Sequence, residues 1–165
     1  MKYKIVTSGK IEEVSLSELS QNLKVQSEVY ALSDREIYLG MISHKTLVLF
    51  ATEFADYAFQ NHAKKKIPEA EICIHLTRKW LEDLESVSNE QLIAAADAAD
   101  AASDADTAAA DAAYAAASAA SATAYASHAT CDAAYAAGAD KDREFIRQGE
   151  FIIDFLKTGG HLFLV

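Results

Sequence analysis

The sequence predicts a mainly α-helical, compact multi-helix domain with close-packed alanine-rich helices and room for one short strand at the N-terminus. Three observations predict it. The 165 residues hold one proline and six glycines, too few for the many turns of a loop-rich β-protein. Of the 33 alanines, 27 fall between Ala94 and Ala139, and alanine is the strongest helix former. Capping signatures stand ahead of several apolar-periodic stretches. The length suits one domain, 1–165, in four segments: a mixed N-terminal segment (1–46), aromatic core helices (47–87), alanine-rich helices (88–138), and a C-terminal helix with an apolar tail (139–165).

In the first segment, Lys2-Tyr3-Lys4-Ile5-Val6-Thr7 alternates weakly and reads as a short strand ended by Ser8-Gly9. Ser15-Leu16-Ser17-Glu18 is a capping box opening a short helix to about Leu23. Lys24 to Ala31 alternates through Val25, Val29 and Ala31 and suits a second extended piece. Ser33-Asp34-Arg35-Glu36 repeats the capping pattern ahead of Ile37, Leu39 and Met41, which places a second helix there. A third helix spans about His44 to Ala63, with Leu47, Phe50, Phe54, Tyr57 and Ala58 at helical spacing. Its basic end, Lys64-Lys65-Lys66, complements the helix dipole.

Pro68 marks the first turn of the next helix, with Glu69 and Glu71 near its positive end. That helix is expected to bury Ile72, His75 or Leu76, the Lys79 stem, Trp80 and Leu84. Ser88-Asn89-Glu90-Gln91 caps the alanine-rich region and Gly138 ends it. Asp140 is placed to cap a last helix carrying Phe145, Ile146, Phe151, Ile152, Phe155 and Leu156, followed by Gly159-Gly160 and the apolar tail His161-Leu162-Phe163-Leu164-Val165. Alanine buries little area, so the core must come from its flanks: Phe50, Phe54, Trp80, Leu84, Phe145, Ile152 and Phe155 together.

The alanine-rich region is ordered rather than low-complexity filler. Asp97, Asp100, Asp104, Thr107, Asp111, Tyr114, Ser118, Ser121, Tyr125, His128, Asp132 and Tyr135 recur at alternating intervals of three and four. This is a heptad with its pattern inverted, a polar stripe on an apolar ground of alanine. One continuous helix of about 45 residues would extend roughly 67 Å, against a radius of gyration near 15 Å for a compact chain of this size. A fold-back is therefore expected, first between Ala102 and Ala108, where Ser103, Asp104, Asp106 and Thr107 compete for backbone hydrogen bonds.

The stripe admits two readings, a solvated face that keeps an alanine helix soluble or a recognition face. No Lys or Arg lies between Lys79 and Lys141, so the carboxylates lack i,i+4 partners. Tyrosine, which shares the stripe, is enriched at interface hot spots.

Leu49-Phe50-Ala51-Thr52-Glu53-Phe54-Ala55, Arg78-Lys79-Trp80-Leu81, Ala122-Thr123-Ala124-Tyr125-Ala126-Ser127-His128-Ala129 and Ala133-Ala134-Tyr135-Ala136 together resemble the alanine-rich immunity proteins of bacterial polymorphic-toxin systems, over roughly Leu47 to Ala137. Members of that family are often Arg-rich in these helices, where this chain carries Asp. The resemblance implies an all-α fold and a non-enzymatic role, binding and neutralising a toxin or effector. Inhibitors of this type are also carried by phages against host defences.

The formal charge of −10 argues against binding nucleic acid through its phosphates. A mean hydropathy of −0.02 and the lack of a long apolar run exclude a membrane span. The N-terminus turns acidic before any apolar stretch develops, unlike a secretory signal. Two cysteines, Cys73 and Cys131, suggest a reducing, cytoplasmic setting, in a bacterium or in the host of a phage.

No cofactor or metal is expected. His128 and Asp132 stand i,i+4, but two ligands at that spacing are common by chance, and no base is placed beside either cysteine. Glu71 and His75 form a surface pair or a capped histidine. Enzyme activity finds no support.

Two functions stay open. In the first, a protein with a basic surface is bound by Asp97, Asp100, Asp104, Asp111, Tyr114, Tyr125, His128, Asp132 and Tyr135, with room for a homo-oligomer. In the second, a small molecule is sequestered in a pocket of Tyr125, His128, Tyr135, Arg143 and Arg147. A third idea, ice binding, fits poorly with so hydrated a stripe.

Overall fold

A computed structural model of the chain describes residues 2–32, 36–63, 67–101 and 133–159. The fold is mixed α/β, which corrects the expectation of a mainly α domain with one short strand. Four antiparallel strands occupy most of the first 41 residues: β1 Lys2–Thr7, β2 Lys10–Ser15, β3 Glu28–Leu32 and β4 Glu36–Met41, in spatial order β2-β1-β3-β4. A 3-10 turn, Leu16–Glu18, and a single-turn helix α1, Leu19–Asn22, link β2 to β3. The helices α2 His44–Asn61, α3 Pro68–Glu82, α4 Asn89–Ala101 and α5 Lys141–Lys157 follow. Residues 133–136 are helical, and a 3-10 turn, Gly138–Asp140, leads into α5.

The Ser8-Gly9 pair does more than end β1. Both residues take positive φ, 50° and 77°, which is the backbone of a two-residue hairpin turn whose twist suits antiparallel strands. β2 then pairs with β1 in the register Tyr3↔Val14 and Ile5↔Glu12. β2 carries little apolar alternation of its own, because only Val14 of its six residues is buried. The segment after Ser33-Asp34-Arg35-Glu36 is strand β4, not a helix. Its short apolar run fits either structure by periodicity alone, and pairing with β3 decides it.

Tyr3, Ile5, Val14, Val29 and Ala31 form the buried face of the sheet. α5 packs on the 3-10 turn, on α1 and on β4; α2 packs on α3, and α3 on α4. Aromatic rings join α2 to α5. Phe50 lies 5.2 Å from Phe155 and 6.0 Å from Phe151, edge to face, and Phe54 lies 5.6 Å from Phe151. Phe50, Phe54, Trp80 and Ile152 share one core as expected, with Phe155 partly buried against it, whereas Phe145 is buried outside that cluster, against Tyr135.

Leu84 is not part of that core. It is half exposed in the turn after α3, and Ile72 is 55% exposed. Of His75 and Leu76, Leu76 is partly buried against the core and His75 is exposed, as are Lys79 and Glu71. α3 buries Ala70, Cys73, Ile74, Thr77, Trp80 and Leu81 instead. That face mixes small residues (Ala70, Cys73, Thr77) with large ones (Ile74, Trp80, Leu81), so residue size alone does not locate it.

Several local expectations hold. α2 begins at His44 as expected, and the Ser43 hydroxyl accepts the Thr46 N–H ahead of it. Pro68 stands in the first turn of α3. Ser88 and Gln91 exchange bonds at 2.9 and 3.3 Å, a complete capping box for α4. At Ser15, the backbone N–H and the hydroxyl both donate to the Glu18 carboxylate, which holds that acid below its ordinary range. Asp140 precedes α5, but its side chain makes no capping bond. The expected break between Ala102 and Ala108 lies outside the described residues.

Candidate functional site

α4 divides cleanly into two faces. Leu92, Ala95, Ala96 and Ala99 are buried against α3, while Glu90, Ile93, Asp97 and Asp100 are exposed. Burying small residues and projecting polar ones is what an inverted heptad requires. The outward row extends the stripe: stepping back from Asp97 by four and then three lands on Ile93 and Glu90. The helical phase of the stripe thus begins seven residues before Asp97.

Neither Asp97 nor Asp100 is in an ion pair among the described residues. The Glu90 carboxyl is held low by its own backbone N–H and then by the Ser88 hydroxyl, so it too stays ionised. At the far end of the stripe, Tyr135 is 57% exposed. Its ring meets Phe145 edge-on at 6.2 Å, with the Lys141 ammonium 5.6 Å above it. Both described ends of the stripe therefore face outward. Asp104, Asp111, Tyr114, Tyr125, His128 and Asp132 lie outside the described residues, as does Cys131.

The other expected grouping is only partly assembled. Arg143 and Arg147 line a cleft of about 450 Å³ between the end of α2 and the start of α5, together with Tyr57, His62, Asp140 and Glu150. Tyr135 is not among its lining residues. Arg147 is already engaged: it grips the buried Glu144 carboxylate at 2.6 and 2.8 Å, and its guanidinium stacks 3.6 Å over Tyr57. Glu144 and Tyr57 were missed because the α2–α5 crossing that brings them to Arg147 has no local sequence signal. Asp140, Glu144 and Glu150 outnumber the two arginines in the cleft lining, so the wall suits an anion poorly.

Cys73 is fully buried, and burial pushes its thiol up to about 12, far from a nucleophile's range. Among the described residues no group of three or more His, Cys, Asp or Glu side chains could hold a metal ion, and no helix is long and apolar enough to cross a membrane. Comparison with family models, curated proteins and solved structures returns no match.

Proposed function

We propose that the chain is a non-enzymatic binding protein that neutralises a toxin or defence effector through the acidic, tyrosine-bearing face of its alanine-rich helices. One observation carries the reading. The carboxylates of α4 point outward beside an exposed isoleucine, and the sequence supplies no basic residue between Lys79 and Lys141 to neutralise them. Unpaired like charges at helical spacing cost a few tenths of a kcal/mol each. A cationic partner relieves that repulsion and is drawn in by the same field.

In this mechanism Asp97, Asp100, Asp104 and Asp111 steer the encounter, while Tyr114, Tyr125 and Tyr135 anchor the complex, with His128 and Asp132 on the same stripe. The partner is a protein with a basic surface rather than a nucleic acid. The setting is the bacterial cytoplasm, or that of the host if a phage carries the gene. The resemblance to immunity proteins points the same way. The test is capture from extract with the wild-type chain and with a variant carrying Asp→Asn at the four steering positions. The protein that the wild type enriches is identified and expressed alone and with the chain. The reading expects growth inhibition relieved by the wild type and not by the variant. Equal relief by both would overturn it.

The second reading, sequestration of a small anion, is favoured by the meeting of Arg143 and Arg147 at one cleft. It needs Arg143 to act almost alone, because Glu144 already holds Arg147. Retention of function in Arg143→Ala would exclude it.

A further inference from the structure

We infer that β4 is the pairing edge of a homodimer, in which two copies of the chain join their sheets through antiparallel β4 strands. β2 and β4 are the two edges of the sheet, and they are built differently. β2 displays Lys10, Glu12 and Glu13, all exposed, with Ile11 as its one exposed large apolar residue. Charges of this kind are a usual guard against edge-to-edge pairing. β4 has no charge after Glu36. Ile37, Tyr38 and Met41 are 53%, 50% and 48% exposed.

These side chains lie on both faces of the sheet. Ile37 is in register with buried Ala31 on the inner face, while Tyr38 stands opposite Tyr30 and Met41 opposite Glu28 on the outer face. A fifth strand beside β4 would cover apolar surface above and below at once. No strand of the described residues occupies that position.

Charge identifies the occupant as a second copy. The chain carries −10 overall, yet its first 45 residues hold six bases and six acids and are neutral. Two copies meeting at β4 therefore bring together a part of each molecule that carries no net charge. The helix packed on β4, α5, is balanced as well, with four bases and four acids. An antiparallel two-fold centred anywhere on residues 37–41 sets Glu36 against a residue between 38 and 46, and that stretch contains no acid. The strand is thus self-complementary, as a two-fold interface must be. The register shift opposite Val29/Tyr30 divides the ladder into 36–38 and 40–41, so the pairing is short. A weak, reversible dimer follows, with a dissociation constant on the order of tens of micromolar.

Sedimentation equilibrium from about 1 to about 500 μM, a span suited to small interfaces, tests this without any partner protein. The wild type should pass from monomer to dimer. Ile37→Lys should stay at the 17.9 kDa monomer mass with unchanged circular dichroism, and Ile11→Lys on the opposite edge should dimerise like the wild type. A wild type that is monomeric throughout would overturn the inference. So would a dimer lost in Ile11→Lys and kept in Ile37→Lys. A monomeric wild type that dimerises only when truncated after Gly159 would mean that the chain's own tail takes the edge, which also overturns it.

Discussion

The sheet segment and the helical segment answer the same problem of solubility in opposite ways. The first 45 residues intersperse six bases with six acids and leave Ile11, Ile37, Tyr38 and Met41 exposed. The remaining 120 carry nine bases against 19 acids, and along α4 nearly everything outward is polar or small. Charge in this molecule is placed rather than spread. A balanced surface tolerates contact with its own kind, whereas a one-signed surface repels its copies and selects partners of opposite sign. The contrast assigns different contacts to different regions, and it can be broken experimentally at the junction or sharpened within either region.

The largest effect is expected where the two regions share a core. Phe50 is fully buried and touches Phe54, Phe151 and Phe155. Phe50→Ala should cost about 4 kcal/mol, with sheet and helix signals lost in one denaturant transition. A loss under about 1 kcal/mol would mean that α2 and α5 do not depend on this contact. Next comes the close approach of α5 to the 3-10 turn. A Cβ added at Gly149 would overlap the Leu16 carbonyl oxygen, which is backbone and cannot swing aside. Gly149→Ala should therefore destabilise by about 3 kcal/mol, at the upper end of overpacking costs. A neutral result would show that the helix can slide on the turn.

A smaller effect belongs to the helical region alone. The Cys73 thiol titrates near 12 when folded against about 9 when exposed, so the folded state favours the neutral form. That contribution is fully present below pH 9. It declines as pH rises from 9 towards 12, because the unfolded chain ionises first. Denaturant titrations at pH 8 and pH 10 should differ by about 1 kcal/mol more in the wild type than in Cys73→Ala. Equal differences would place the thiol in contact with water.

The sequence was most informative where a single local interaction decides the structure. Pro68 and the Ser88–Gln91 pair mark helix starts that the structure keeps, because such signals are read within four residues. The stripe on α4 was legible for the same reason, since helical phase is a local property. What was lost is non-local. β2 and β4 exist through pairing with β1 and β3, and a half-exposed strand such as Lys10–Ser15 carries little alternation of its own. On α3 the inward face runs through Ala70, Cys73, Ile74, Thr77, Trp80 and Leu81, which leaves Ile72 outside. Leu84 lies past the end of the helix, where helical phase no longer applies. The same holds at the cleft, where tertiary packing alone brings Tyr57 and Glu144 to Arg147.

The smallest effect on stability is paired with the largest expected effect on function. Asp97→Asn, Asp100→Asn, Asp104→Asn and Asp111→Asn made together should leave folding within about 0.5 kcal/mol of the wild type or slightly stabilise it. The decisive measurement is the association rate of the captured partner with this variant and with the wild type, at low and at physiological salt. The account predicts an on-rate at least about tenfold lower at low salt, nearly independent of salt, with a smaller change in off-rate. An on-rate and salt dependence equal to the wild type's would contradict it, and would leave the acidic face with no part in recognition.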